Sequence, residues 1–95
     1  MTLSIIAQIT ATQGKETLLR AELEKLVAPT RLEEGCLQYD LHVDNDNPGF
    51  FVFYENWTSE ALLQAHLAAP HLDAFRAATE GAVAGFVLNK MTKIA

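Results

Sequence analysis

Residues 50–54 read Phe-Phe-Val-Phe-Tyr, an unbroken apolar run in a chain of 95 residues. A strand sends alternate side chains to opposite faces, so such a run predicts a strand that is covered on both sides. Ninety-five residues hold one domain, residues 1–95, with room for a single core. The central question for a chain this small is therefore what covers the second face.

The rest of the chain supplies the partners of that strand. Leu3 to Ala11, with Ile5, Ile6 and Ile9, reads as a strand, and Gln13-Gly14-Lys15 as the turn that leaves it. From Glu16 to about Glu34 the period changes, and Leu19, Leu23, Leu26, Val27 and Thr30 form one stripe of an amphipathic helix. Pro29 predicts a kink or a break in that helix, and Gly35 its stop. Leu37, Tyr39, Leu41 and Val43 alternate with polar residues, the pattern of a half-buried strand. The Asp44–Gly49 stretch is a turn by composition, and the phenylalanine strand then runs to Trp57. Thr58 or Ser59 can cap a helix from Glu60 to Ala69. Pro70 re-initiates a segment to about Glu80, and Val83 to Ile94 is a last strand.

The order β-α-β-β-α-β predicts an α+β, ferredoxin-like antiparallel sheet with helices on one side. Helices on one side leave the other face open. In a chain that is 49% hydrophobic and 20% charged, the economical cover is a second copy, and a homodimer with sheets packed face to face is expected. The net charge of −5 gives no attraction to nucleic acid or to an anionic bilayer. No apolar run reaches the length of a membrane span, and Met1-Thr2-Leu3-Ser4 lacks the basic region of a signal peptide, so neither a span nor secretion is expected. The lone Cys36 has no partner for an internal disulfide, so a soluble, cytoplasmic setting is expected.

Several residues could carry chemistry, each with a plainer reading beside it. His66 lies beside the apolar face of its helix, as a base or as a boundary histidine bonded to a carbonyl. His71 opens the next segment and is equally readable as a surface cap. On one continuous helix the two would stand about 140° apart, so no metal site is expected from them. Trp57 is either a plug over the core edge or a stacking surface for a ligand. Tyr39 shares the face of Leu37 and Leu41, so its phenol needs a buried partner, as anchor or as proton donor. Gln8 interrupts an apolar strand and could line a cavity. Glu55 directly follows the apolar run, an unusual place for a carboxylate, although strand ends are often wet. Cys36 has no basic neighbour in sequence and reads as a small buried filler.

Taken together, Glu33-Glu34-Gly35-Cys36 with Tyr39, then Trp57-Thr58-Ser59, then Ala65-His66-Leu67 with Pro70-His71, resemble the antibiotic biosynthesis monooxygenase family, and within it the small quinol monooxygenases. The likeness runs from about Leu3 to Ile94. It implies a dimeric α+β barrel and oxygenation of a small quinol or phenolic aromatic by O2 without metal, flavin or haem. The positions that haem-degrading relatives use hold Ala7, His66 and Arg76 here, which is not their pattern. Other relatives isomerise phosphorylated diketones, and Arg76 could hold one phosphate. A non-catalytic module that binds a small aromatic is the third alternative.

Under the oxygenase reading His66 is the base, with His71 as gate or alternative base. Tyr39 and Gln8 fix the substrate oxygens, and Phe51, Phe53, Trp57, Leu62 and Phe75 form a dry pocket.

Overall fold

A computed structural model describes residues 2–95. Strands β1 (Leu3–Ala11), β2 (Cys36–Val43), β3 (Phe50–Trp57) and β4 (Val83–Met91) alternate with helices α1 (Glu16–Arg31), α2 (Glu60–Leu67) and α3 (Pro70–Ala78). The sheet order is β2-β3-β1-β4, and every neighbouring pair is antiparallel. This is the ferredoxin-like α+β arrangement, with the second helix divided in two.

Pairing of Ala7 with Phe53 and Leu88 sets which residues share a face. Ile5, Ala7 and Ile9 of β1, Phe51, Phe53, Glu55 and Trp57 of β3, and Tyr39 of β2 turn toward the helices and are buried there. The α1 stripe meets them: Leu19, Leu23, Leu26 and Thr30 are all buried. Each such aliphatic side chain contributes roughly 1.5–3 kcal/mol relative to exposure. Ser59 caps α2 by accepting from the Leu62 amide at 3.2 Å, and Pro70 sits in the first turn of α3.

Four expectations need adjustment. Pro29 does not break α1. It lies two residues from the end, so at most one helical hydrogen bond is lost, and the chain leaves by tighter turns from Leu32 to Pro29 and Glu33 to Thr30. The helix therefore ends at Arg31 rather than Glu34. Leu37 does not share the face of Tyr39: the β2–β3 register shifts between Cys36 and Gln38, and Leu37 is exposed. The last strand stops at Met91, three residues short of Ile94.

The second sheet face is also less apolar than the phenylalanine run suggests. Ile6, Phe50, Val52, Tyr54 and Val87 form a strip across it. Beside the strip runs a polar ladder: Ser4 donates to Asn56 at 2.6 Å, Asn56 to Gln38 at 2.8 Å, and Gln38 to Asp40 at 2.8 Å. Among the described residues, no helix is long and apolar enough to cross a membrane.

Candidate active site

Two short helices where one was conceivable decide the geometry of the site. Helix α2 ends at Leu67, Ala68 and Ala69 leave the helical path, and α3 starts afresh at Pro70. The direction change cancels the angular separation that a continuous helix would impose on His66 and His71. Their ring centroids lie 6.1 Å apart. Both point a ring nitrogen at one oxygen of Glu33, which follows α1: His66 Nδ1 at 2.7 Å and His71 Nε2 at 2.8 Å. The buried Thr30 hydroxyl lies 3.2 Å from the same His71 nitrogen. The spacing argument against convergent histidines fails because it assumed one helix.

Gly35 lets the chain turn tightly from Glu33 into β2. Its φ of +83° suits glycine, and a Cβ there would run into the Leu62 side chain and the Thr58 hydroxyl. The Thr58 amide donates to the Gly35 carbonyl at 3.0 Å, tying the turn to the end of β3. The start of α2 is thereby held against the Glu33 loop.

Glu33 determines which imidazole nitrogen of His66 carries the proton. Nδ1–H donates to the carboxylate, so Nε2 of the neutral ring holds the lone pair. His66 is only 2% exposed and forms part of the wall of a cavity of about 540 Å³ between helices and sheet. Among the described residues no buried side-chain nitrogen or oxygen lacks a partner. Nε2 has no hydrogen-bond partner among them, which leaves it available to a molecule in the cavity that His66 lines. Burial lowers the His66 pKa, and Glu33 partly opposes that shift. The ring is therefore neutral, in its proton-accepting form, at pH 7.

The cavity is otherwise largely apolar. Tyr39 stacks on Phe53 at 4.4 Å and meets the edge of His66 at 5.4 Å. Burial, then the charge of Glu55, pushes the Tyr39 phenol above its ordinary range, which keeps it a neutral hydrogen-bond donor. Glu55 also reaches the cavity. One of its oxygens accepts from Trp57 Nε1 at 2.8 Å, and burial raises its pKa from 4.5 to about 7. Helix α1 packs on β2 and α3, while Phe86 on β4 is 58% exposed at the cavity's open side.

Of the residues singled out in sequence, His66, Tyr39, Phe53, Phe75 and Arg76 line this cavity. Arg76 stands at its exposed edge, held by Asp73 at 3.1 Å and the Leu67 carbonyl at 2.7 Å. His71 does not line it but shares Glu33. Trp57 is fully buried behind His66, ring centroids 4.8 Å apart, and supports the imidazole rather than facing the cavity. Phe51 and Leu62 are packing residues outside the wall. Gln8 is on the wrong face: it bonds Asn89 at 3.0 Å on the open side of the sheet, because residues 5, 7 and 9 occupy the helix side. Half-buried Cys36 has its pKa raised by burial and by Glu33, as befits an unreactive filler.

Two site residues escaped the sequence reading. Glu55 left a trace, a carboxylate directly after an apolar run. Glu33 left none as a site residue, since its partners are 33 and 38 positions away.

The chain is thus a ferredoxin-like domain that holds a carboxylate-anchored histidine at an aromatic-walled cavity. A family model described as antibiotic biosynthesis monooxygenase matches residues 2–78, and the chain belongs to that family. It is 37% identical to PA3566 of Pseudomonas aeruginosa, whose crystal structure superposes with a TM-score of 0.94 over 99% of this chain and 95% of that one. It is 33% identical over 91 residues to the Escherichia coli protein named "Probable quinol monooxygenase YgiN", covering 85% of this chain and 88% of that protein. With "Putative monooxygenase Rv0793" of Mycobacterium tuberculosis it shares 35% identity over 74 residues, 78% of this chain and 72% of that protein.

Proposed function

We propose that this protein is a monooxygenase that uses O2 to oxidise a small quinol or phenolic aromatic, with His66 as the base. The observation that carries the reading is the placing of His66, anchored through Nδ1 on Glu33, with no hydrogen bond at Nε2, in the wall of a cavity shared with Tyr39, Phe53 and Phe75. The E. coli relative's name supplies the quinol class.

The chemistry needs little from the protein, because a phenolate is itself the electron donor. His66 Nε2 takes the proton of one ring hydroxyl. The anion gives two electrons to O2 as a C–O bond forms at the adjacent ring carbon, leaving a peroxide that accepts a proton. Loss of water then breaks the O–O bond and leaves a hydroxylated quinone. A dihydroxyarene plus O2 becomes a hydroxyquinone plus one water, which balances without an external reductant. The apolar walls keep solvent away from the peroxide, and the Tyr39 hydroxyl holds a substrate oxygen.

The active form is a homodimer in a cytoplasmic setting, joined through the open sheet face. The half-buried strip of Ile6, Val52 and Tyr54, and membership of the family, support that assembly.

The test is quinol-dependent O2 uptake over a panel of one- to three-ring quinols, with 18O2 to follow the oxygen. One labelled atom in the quinone is expected, and His66→Ala should lower uptake about 100-fold or more while the far-ultraviolet spectrum stays native. Unlabelled quinone with stoichiometric H2O2 would make the protein an oxidase instead. Full uptake in the variant would remove His66 from its role.

A further inference from the structure

We propose that Glu33, His66 and His71 form a binding site for a divalent cation of the zinc class, and that its occupancy switches the His66 base off. The three donors come from three separate segments: the turn after α1, the last turn of α2 and the first turn of α3. Their donor atoms, one carboxylate oxygen and two imidazole nitrogens, all lie within 4.8 Å of one another. Two histidines and one glutamate form a recurrent three-ligand zinc set that leaves a fourth position open. Helix α2 presents its C-terminal end at His66, where a cation is favoured.

To admit an ion, both Glu33 and His71 have to move. Bonds of about 2.0–2.1 Å in a tetrahedron place ligand atoms about 3.3 Å apart. The two contacts to Glu33 are 2.7 and 2.8 Å, and the two imidazole nitrogens lie within 4.8 Å of each other, so the carboxylate has to withdraw by roughly half an ångström and the imidazoles to close by up to about 1.5 Å to admit the ion. Glu33 lies outside regular secondary structure and its side chain is 17% exposed, which gives it that freedom. His66, at 3% side-chain exposure, keeps its place, and His71, at 24% in the first turn of α3, makes the approach.

The effect on the base follows from the tautomer. In the metal-free protein His66 carries its proton on Nδ1 and its lone pair on Nε2. A cation at Nδ1 takes that lone-pair position, and the neutral ring then bears its proton on Nε2. The nitrogen facing the cavity becomes a donor and no longer accepts a phenolic proton. This second part rests on the proposed function; the binding site itself does not.

The experiment titrates the intact, chelator-treated protein with Zn2+ alone by calorimetry, and with Co2+ followed by visible absorption. One ion per chain is expected, at micromolar affinity or better, with the intense Co2+ bands of a four-coordinate site. Glu33→Gln and His71→Ala should each weaken binding at least tenfold, and His42→Ala, on the open sheet face opposite Val52 and away from the three ligands, should not. In the unaltered protein Zn2+ should shift the imidazole NMR signals of His66 and His71 and spare His42, which decides the matter even if a variant misfolds. Failure to bind at micromolar Zn2+, or shifts confined to His42, would overturn the site. Quinol-dependent O2 uptake should fall in step with Zn2+ occupancy and return with chelator. Uptake that persists in the saturated protein would overturn the switch. Absence of uptake in the metal-free protein would instead refute the proposed function and leave the binding result to stand.

Discussion

Trp57 Nε1 donates to the Glu55 carboxylate at 2.8 Å, and the two residues, two positions apart on β3, lie buried on the same side of the sheet. The indole satisfies one oxygen only. Its hydrogen bond favours the ionised form, but burial outweighs it and holds the carboxyl near pH 7 rather than 4.5.

That balance has a consequence for stability. Below about pH 4.5 Glu55 is protonated in both folded and unfolded chains and costs nothing. Between pH 4.5 and about 7 the unfolded chain ionises first, so the native state loses stability through that window, by on the order of 3 kcal/mol in total. Glu55→Gln keeps an acceptor for Trp57 and is neutral throughout. Thermal melts from pH 4.5 to 8 should show the variant gaining on the unaltered protein until about pH 7, then running parallel to it. A constant difference across the window would mean that Glu55 titrates normally.

Glu33 raises the His66 pKa against burial, by hydrogen bond and by charge. Glu33→Gln should therefore move the acid limb of the rate profile to lower pH and, by loosening the imidazole, lower the maximum rate about tenfold or more. A purely structural role for Glu33 would lower the rate without moving the limb. The pH dependence of quinol-driven O2 uptake separates the two.

Gly35 and Gly81 both have positive φ, near +83° and +80°, but only Gly35 is crowded. Gly81→Ala should cost about 1 kcal/mol, the backbone term alone. Gly35→Ala adds a collision with Leu62 and Thr58 and should cost at least about 2 kcal/mol. Urea denaturation of both variants measures the difference, and equal losses would show that the turn relaxes freely.

On the open face, Val52 pairs with Gln8 and His42 in the middle of the sheet. Val52→Lys places a charge in the proposed dimer contact without touching the helix-side core. Sedimentation at micromolar concentration should give a dimer for the unaltered protein and a folded monomer for the variant. A monomeric unaltered protein would end the dimer proposal.

The fold was legible because period and punctuation agree along the chain. Alternation in Tyr39–Val43, the α1 stripe and the Phe50–Trp57 run each follow from local burial, and the strand order follows from their sequence. What stayed hidden was set by contacts between distant segments. The bulge at Leu37 depends on pairing with β3, and the sidedness of Gln8 depends on β1 registering with both neighbours. His66 was visible as a histidine beside an apolar face. Its anchor was not, because nothing near Glu33 in sequence marks it, and the break at Ala68–Ala69 that brings His71 beside it has no meaning until α2 and α3 are docked.

That distance in sequence bears on when the protein becomes competent. The carboxylate and its two imidazoles meet only after the turn beyond α1 has closed on the far half of the chain. A partly folded molecule, even one with its helices formed, has a histidine with no fixed tautomer and no walled cavity beside it. The oxygen chemistry proposed for this site would thus be withheld from nascent and damaged chains, and recovery of quinol-dependent O2 uptake on refolding would report the completion of the whole topology rather than of any one segment.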